Sequence, residues 1–538
     1  MKLAKYISIV LCATALVACE KMMNELEPQG GTLLQSQVEV VNTANPARVE
    51  AAFSGLFTPL GQPAKYYTNR ADDWGFLMMF FSNDQEAADV VTPDSDYNWF
   101  SVCGEYTSRN PDYANPYLRY NYPYNTISNV NDFLKSFPAD TKDPDALAMM
   151  AQARALRAYS YLMLAPSFQF TYGVAADKPC VPLVTEKTED FTHNPRATVK
   201  AVYDFIIEDL NYAIEHLEGY ERSSAAYIDQ QVAYGLRARA NLVMENWEAA
   251  AADAAKAAAG YTPASIEEVS KPSFMDISEH NWLWGYDMTT STAATNTYCT
   301  TTSWLRSFSG DGYAPATQVY AMINVMLYNK IPDTDVRKGW WVDKNLESPL
   351  LEGLSWNNEP VATVEIDDVK LKYLPYTNVK FGTYTVGTTT NDEDFPFMRV
   401  EEMILIQAEA LVKGGDVAGG TKVLEDFVKT YRDPSYSAAG RGLSIEDEIW
   451  FQRRIELWGE GFGISDTKRL NKPVVRIHAG AESNVADAFA FNLKADDPWL
   501  LMRFPKDETN TNFSIVNNTG GSQPVRGQNG DIRDGVTD

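Results

Sequence analysis

Histidine is rare in this sequence, and no catalytic motif accompanies the few that are present. The 538 residues include four histidines, spread without the spacing of a metal-binding pair: His193, His216, His280 and His478. A phosphate-binding P-loop, a GxSxG nucleophile elbow and a dinucleotide-binding glycine fingerprint are also missing. Among 72 acidic residues, a pair with glycosidase spacing would arise by chance, but no feature selects one. No residue pattern in the sequence therefore selects a catalytic site, and we predict no metal-ligand set and no cofactor.

Cysteine is also sparse, with five residues and no CxxC pair. Two of them, Cys12 and Cys19, lie near the N-terminus, which leaves Cys103, Cys180 and Cys299 in the body of the chain. An odd number without paired spacing argues against a disulfide framework, although one bridge and one free thiol would also fit. We interpret all three as packing residues.

Long apolar runs are absent from the sequence after the first residues, and this excludes a conventional membrane-spanning helix in the rest of the chain. At the start, Lys2 and Lys5 precede an apolar run over 7–17 that is too short to cross a bilayer. This run leads into the letters LVAC at 16–19. The order of basic, apolar and small residues is typical of an export signal.

The LVAC stretch resembles a bacterial lipobox, in which the cysteine is lipidated and the preceding residues are removed. We therefore expect a signal peptide over 1–18, a lipid on Cys19 and a polar tether over 19–45. The mature protein would be anchored through its lipid and otherwise soluble. The alternative is an ordinary secretory signal followed by a chance cysteine.

Positive charge is in deficit, because 46 basic residues stand against 72 acidic ones and the formal net charge is −26. Nucleic acid and anionic membrane surfaces would both repel such a chain. We expect no nucleic-acid partner, and we attribute most of the charge to solubility.

What the sequence has in quantity is helical periodicity. Apolar residues recur at helical spacing over 147–165, 196–217 and 231–260, and again over 398–433. Helix–turn–helix units with small residues at the crossing are typical of tetratricopeptide-like repeats. The predicted fold is mostly α, a right-handed superhelix of tetratricopeptide-like helix pairs over about 125–260 and 395–470. Between them, at about 261–394, periodicity fades into an irregular, loop-rich insertion, which we expect to carry the ligand-binding loops. In this insertion, "ATVEIDDVKLKYL" predicts strands.

The charged and aromatic stretch at 450–469 raises the question of an active site. Four apolar residues share one helical face: Phe451, Ile455, Trp458 and Phe462. Another face carries Arg453, Glu456 and Glu460 at spacings that allow them to pair, and Gly461 and Gly463 are typical of a helix C-terminus. Since every charge has a candidate partner nearby, we interpret the stretch as structural.

The letters "QRRIELWGEGFGISDTKR" at 452–469 resemble the closing signature of the SusD/RagB family of Bacteroidetes surface lipoproteins. The chain departs from that pattern at Gln452, Gly463 and Thr467. "AQARALRAYSYL", "PCVPLVTEKT", "RVEEMILIQAEAL" and "FPKDETNTN" resemble further family segments in the same order. The resemblance spans nearly the whole mature chain and implies a single SusD-like domain over 46–538.

The resemblance implies a non-enzymatic protein on the outer face of the outer membrane. Such a protein captures oligosaccharides or polysaccharides and acts as the lid of a SusC-like TonB-dependent transporter. Three alternatives stay open: a peptide-binding RagB-like member of the same family, a surface glycosidase, and a tetratricopeptide scaffold without a small ligand. A neighbouring transporter gene would separate the first two readings, glycan or peptide capture, from the others.

Aromatic side chains are the candidate ligand-binding residues, because a flat ring beside polar groups stacks on the C–H face of a sugar. Trp247, Trp450 and Trp458 lie in helical patterns and are expected in the core. The aromatics in irregular, polar contexts are Trp74, Tyr97, Trp99, Tyr298, Trp304, Trp340, Trp341 and Trp356. From these we select Trp74, Trp99 and Trp304 as predicted ligand-binding residues, although a loop aromatic folded onto the scaffold would fit the same pattern.

Overall fold

The structure is a computed structural model, and its description here is restricted to part of the chain. The described residues are 45–67, 70–94, 99–293, 304–308, 319–356, 359–360, 363–366, 369–384, 386 and 390–538. The predicted signal peptide, lipidated Cys19 and nearly all of the tether therefore lie outside the described residues.

Helices dominate the described part of the chain, which confirms the mostly α class. The eleven longest helices there are α1 (Pro46–Gly55), α2 (Leu77–Glu86), α3 (Ala114–Leu134), α4 (Pro144–Phe168), α5 (Val199–His216), α6 (Gln230–Val243), α7 (Trp247–Ala258), α8 (Val400–Lys413), α9 (Val417–Tyr431), α10 (Ile445–Glu456) and α11 (Gly463–Arg469). Short helices occupy Ser101–Gly104, Tyr172–Ala175, Ile266–Val269, Thr290–Ala293, Val325–Tyr328 and Lys506–Thr511.

The N-termini of several helices are fixed by their own side chains. Asp143 accepts hydrogen bonds from the first turn of α4, Thr198 from that of α5, and Asp229 from that of α6. A short polar residue in this position satisfies a backbone N–H that otherwise has no partner in the helix. These caps fix where helices α4, α5 and α6 begin.

From α3 to α9, each helix packs on the next in the chain, and α10 packs on α8. Sequential packing of helix pairs is the architecture of tetratricopeptide-like repeats. The sequence between α7 and α8 is long, yet these two helices pack directly on each other. The described residues between these two helices therefore belong to an insertion in the helical scaffold, as the sequence predicts.

The ten described strands are short and pair into two-stranded antiparallel sheets. They are β1 (Val90–Val91), β2 (Pro179–Pro182), β3 (Arg196–Thr198), β4 (Trp282–Tyr286), β5 (Met322–Ile323), β6 (Ser355–Trp356), β7 (Glu359–Pro360), β8 (Thr363–Ile366), β9 (Val369–Lys372) and β10 (Phe395–Arg399). The hairpin of β8 and β9 confirms the strands predicted from "ATVEIDDVKLKYL". Because β4 pairs with β10, the beginning and end of the insertion are held together next to α8.

Two of the three cysteines in the body of the chain behave as predicted. Cys103 and Cys180 are both buried and free, and burial raises the pKa of their thiols to about 11 and about 12. Neither thiol forms a reactive thiolate at neutral pH, which is consistent with packing residues. Cys299 lies outside the described residues.

The structure corrects the predicted helix at 450–462. Helix α10 ends at Glu456, and Gly463 begins α11 instead of ending the preceding helix. Gly459 and Gly461 lie between the helices with φ of +81° and +86°, a conformation that favours glycine. Of the four residues of the predicted apolar stripe, Phe451, Ile455 and Trp458 are buried, but Trp458 and the half-buried Phe462 lie beyond the end of α10.

The predicted pairing of Arg453 with Glu456 and Glu460 is wrong. Arg453 instead donates to Asp466 at 2.8 and 3.2 Å. Glu456 and Glu460 belong to a buried ion-pair network, in which every member is at most 5% exposed. The ion-pair network consists of Asp335, Arg337, Lys380, Arg399, Glu401, Arg432, Glu456 and Glu460.

The ion-pair network connects the insertion to the helical scaffold. Arg337 and Lys380 come from the insertion, whereas Glu456 ends α10. Burial alone would raise the pKa of Glu456, but Arg432, together with the other guanidinium groups, lowers it far below its usual range. The structural reading of the stretch is supported, but the partners come from distant parts of the chain.

Candidate ligand-binding site

A loop between α1 and α2 carries the residues of the candidate site. Its two ends are joined by a β-bridge between Pro63 and Trp74 and by a hydrogen bond from the Ala64 N–H to the Asp73 carbonyl oxygen at 2.8 Å. The segment between these ends, "KYYTNRAD", contains two tyrosines and an arginine. Closing the loop at its base presents these side chains together.

The carboxylate of Asp73 organises the loop from inside. Its Oδ2 accepts the backbone N–H of Tyr66 at 2.7 Å and also that of Tyr67, while its Oδ1 accepts the hydroxyl of Tyr122. Asp73 is fully buried, so these bonds supply the partners that its charge requires. The backbone that carries Tyr66 and Tyr67 is thereby fixed on helix α3, to which Tyr122 belongs.

Four half-buried rings form what we call the aromatic cluster: Tyr66, Tyr67, Trp99 and Tyr117. The Tyr117 ring meets Tyr66 and Tyr67 edge to face, at centroid distances of 5.5 and 6.0 Å. These edge-to-face contacts are a favourable geometry for aromatic rings.

Arg70 connects Trp99 to the rest of the aromatic cluster. Its guanidinium lies over the Tyr67 ring at 5.3 Å and over the Trp99 ring at 4.9 Å. Asp72 holds the guanidinium through two hydrogen bonds, from Nε at 2.8 Å and from Nη2 at 2.7 Å. Burial raises the pKa of Asp72, and the bonds from Arg70 oppose this shift.

Burial also shifts the pKa values of the tyrosines and the lysine at this site. It raises the pKa of Tyr66, Tyr67 and Tyr117 and lowers that of Lys65. The phenols therefore stay protonated at neutral pH and can donate as well as accept hydrogen bonds. Half-exposed rings beside a fixed guanidinium suit a ligand that has both apolar faces and hydroxyl groups.

The structure corrects the expectation that Trp74 and Trp304 are exposed. Each is 1% exposed and belongs to the main hydrophobic core. Trp304 packs on Phe100 at a centroid distance of 4.3 Å and on Phe81 at 5.5 Å. These apolar neighbours come from distant parts of the sequence, which the polar residues around each tryptophan do not reveal.

Both buried tryptophans nevertheless contact residues that adjoin the candidate site. Trp74 closes the base of the loop that carries Tyr66, Tyr67 and Arg70. Trp304 supports Phe100, the residue that follows Trp99. Trp99 alone, of the three selected residues, has a half-buried ring at the surface.

Among the other aromatics in irregular, polar contexts that the sequence analysis named, Trp340 and Trp341 are fully buried. Tyr97, Tyr298 and the side chain of Trp356 lie outside the described residues. The expected core positions of Trp450 and Trp458 are confirmed, and Trp247 is half-buried against the core.

Sequence analysis missed Tyr66, Tyr67, Arg70 and Tyr117. Two adjacent tyrosines between a lysine and an arginine, just before Asp72, were the available signal. Tyr117 lies on a helix and carries no local sign of its role, because only the fold brings it to the loop.

Features of catalysis are weak in the described residues. Asp84 and Asp394 have pKa values raised by burial to about 7 and about 6, but both are buried and accept backbone N–H groups. These bonds give each carboxylate a structural role.

No group of three or more side chains suited to hold a metal ion occurs in the part of the chain that the structure describes. The helices described include none long and apolar enough to cross a bilayer.

Comparison with known protein families gives two matches along the chain. A family model described as "Starch-binding associating with outer membrane" matches residues 72–242, and the model of the SusD family matches residues 281–521. Together they cover most of the helical scaffold, although not α1 or α7, and most of the insertion. The chain belongs to the SusD/RagB family.

Solved structures agree with this fold. A SusD-like carbohydrate binding protein from Bacteroides vulgatus is 22% identical with a TM-score of 0.70, over 87% of this chain and 97% of its own. A SusD superfamily protein from Bacteroides thetaiotaomicron is 20% identical with a TM-score of 0.66, over 88% and 99%. A laminarin binding SusD-like protein is 17% identical with a TM-score of 0.57, over 88% and 99%. A search of curated proteins found no significant match.

Proposed function

We propose that this protein is a cell-surface lipoprotein that binds glycans and does not process them. The observation that carries the proposal is the aromatic cluster with Arg70, in which half-exposed rings lie next to a guanidinium fixed by Asp72. Rings of this kind stack on the C–H faces of sugars, and the guanidinium and tyrosine hydroxyls hydrogen-bond to sugar hydroxyls. Membership of the family and the carbohydrate-binding and laminarin-binding relatives support the proposal.

In this proposal, the protein is anchored to the outer face of the outer membrane by a lipid on Cys19. It captures oligosaccharides there and acts as the lid of a SusC-like TonB-dependent transporter. The lipobox-like LVAC stretch supports the anchor, and the family supports the transporter. Co-purification with a transporter encoded by a neighbouring gene is the expected result, and loss of Cys19 should release the protein from the membrane.

The glycan site is tested by truncating its rings one at a time. Trp99→Ala and Tyr67→Ala should each weaken glycan binding by about 2 kcal/mol or more, roughly a thirtyfold loss of affinity, if the ring anchors the sugar. Phe513→Ala is the matched control, because Phe513 is 71% exposed and its described ring contact is with His193. Affinity is measured by isothermal titration, and folding by thermal melting of each variant.

The result that contradicts the site is wild-type glycan affinity in both cluster variants. Loss of affinity accompanied by a large drop in melting temperature would instead assign the rings a packing role. If the wild-type protein binds peptides and no glycan, the RagB-like alternative replaces the proposal. If the protein hydrolyses an oligosaccharide, the non-enzymatic reading is wrong.

A further inference from the structure

The helical scaffold contains a cavity that the proposed glycan site does not use. It has a volume of about 110 Å³ and lies between the C-terminal halves of α4 and α6 and helix α11. Its apolar wall includes Leu162, Met163, Phe170, Leu242 and Val243. An engineered apolar cavity of about 150 Å³ holds a benzene molecule, so this volume suits a single small ring or a short alkyl chain.

The scaffold cavity opens to the surface. Met163, Phe170 and Val243 line it and are half-buried, whereas Leu242 on the same wall is 3% exposed. A ligand can therefore enter from solvent and bury its apolar part against Leu242. A sugar would be disfavoured on this side of the cavity, because its hydroxyl groups would lose their hydrogen bonds to water next to apolar side chains.

A buried amine without an ion-pair partner lines the same cavity. Lys468 is 7% exposed, and its Nζ donates to the carbonyl oxygen of Pro166. None of the described carboxylates forms an ion pair with it. A buried ammonium group is costly unless a counter-charge accompanies it.

The carboxylates that line the cavity are already committed to other cations. Glu402 accepts from Arg239 at 2.7 and 2.6 Å, Glu460 from Lys380 at 2.7 Å, and Asp466 from Arg453. Among the described residues, these pairings leave Lys468 without a carboxylate partner at the cavity.

A second cationic side chain of the cavity lining keeps an unused donor. Arg453 is 2% exposed and pairs with Asp466, but its Nη1 has no hydrogen-bond partner among the residues described. Buried guanidinium N–H groups are rarely left unsatisfied in folded proteins. The lining therefore contains two buried cationic side chains, Lys468 and Arg453, that have donor capacity left over among the described residues.

We infer that the scaffold cavity binds a small amphipathic monocarboxylate, a short-chain alkyl or single-ring carboxylic acid. Its apolar part lies against Leu162, Leu242 and Val243, and its carboxylate pairs with the amine of Lys468. This site goes beyond the proposed glycan binding, and its test does not depend on any glycan.

The ionisation of Lys468 gives the inference a distinctive signature. Burial lowers the pKa of this amine to about 7; Arg109 and Arg119 lower it further, whereas Glu86 and Cys180 oppose them. A bound carboxylate favours the charged amine, so binding at about pH 8 should take up a proton, and binding at about pH 5.5 should not. Calorimetry in two buffers of different ionisation enthalpy measures this uptake.

The experiment titrates the purified protein with hexanoate and phenylacetate, and with the neutral amides of the same acids. We expect saturable binding of at least one acid, and an affinity for its amide that is lower by about tenfold or more. Lys468→Met should lower the affinity for the acid by about tenfold or more. Val243→Phe should obstruct the entrance of the cavity and abolish binding of the acid. Lys422→Met is the matched control, because the side chain of Lys422 is 73% exposed, and it should bind like wild type.

Three results would overturn the inference. They are the absence of saturable binding of either acid, equal affinity for an acid and its amide, and unchanged affinity in both Lys468→Met and Val243→Phe. If Lys468→Met does not fold, as judged by its melting curve, the proton uptake of the wild-type protein decides. Uptake at about pH 8 supports the pairing with Lys468, and its absence contradicts it.

Discussion

Neutralising Glu456 should destabilise the protein strongly while leaving its ligand site intact. The carboxylate is fully buried and accepts two hydrogen bonds from Arg432 at 2.8 Å, one from Arg337 at 3.2 Å and one from Arg399 at 3.3 Å. The ion-pair network contains four cationic and four carboxylate side chains, so Glu456→Gln leaves one buried positive charge without a counter-charge. Breaking a buried pair in this way costs about 3–5 kcal/mol.

Urea unfolding followed by tryptophan fluorescence measures this loss as a fall in the free energy of unfolding. Glu446→Gln is the control, because Glu446 pairs with Lys413 at the surface with its side chain 50% exposed. Breaking such an exposed pair costs at most about 1 kcal/mol. Glycan affinity of the folded Glu456→Gln variant should equal that of the wild type.

In the wild-type protein, the stability that Glu456 contributes relative to Glu456→Gln depends on pH with a definite sign. Because the pKa of Glu456 is lowered in the folded state, its contribution to stability is fully present above its unfolded value of about 4.3. That contribution is lost as the pH falls towards the folded pKa. A loss of less than about 1 kcal/mol at neutral pH, or lost binding with unchanged unfolding, would refute the structural role of this network.

Three further predictions concern Asp84, Gly461 and Cys19. Burial raises the pKa of Asp84 to about 7, so the stability that its protonated form contributes is fully present below about pH 4. Between pH 4 and 7, the free energy of unfolding of the wild type should fall relative to that of Asp84→Asn by up to about 1.4 kcal/mol per pH unit. A difference that does not change with pH would contradict this. Gly461→Ala should lower the free energy of unfolding by about 2 kcal/mol or more, because a Cβ there would lie 2.5 Å from the Phe80 ring at a φ of +86°. The loss should exceed that of the control Gly415→Ala, whose Cβ would meet open space at a φ of +99°. Equal losses in the two variants would contradict this prediction. Cys19→Ala should move the protein from the outer-membrane fraction to a soluble one, and continued fractionation with the membrane would place the anchor elsewhere.

The helical scaffold was predictable because its signals are local. Apolar periodicity locates α5, α6, α8 and α9, and residues such as Asp229 fix where a helix begins. The insertion was predictable as a loss of that periodicity. Its attachment was not, because the pairing of β4 with β10 joins residues more than a hundred positions apart.

The candidate site was predictable only in part, for a physical reason. Polar neighbours in sequence suggested that Trp74 and Trp304 are exposed, but burial depends on contacts such as that of Trp304 with Phe100. In the same way, charge spacing suggested that Arg453 pairs along its own helix, whereas Asp466 of the next helix is its partner. Side-chain pairing across elements is set by the fold, which periodicity alone does not encode.

Glycan binding by the purified wild-type protein is the central claim, and one measurement tests it most directly. Isothermal titration against a panel of α- and β-linked oligosaccharides is set beside titration against a panel of short peptides. The account predicts saturable binding of at least one oligosaccharide, no hydrolysis of it during the titration, and no binding of the peptides. Binding of peptides without binding of any oligosaccharide would contradict it.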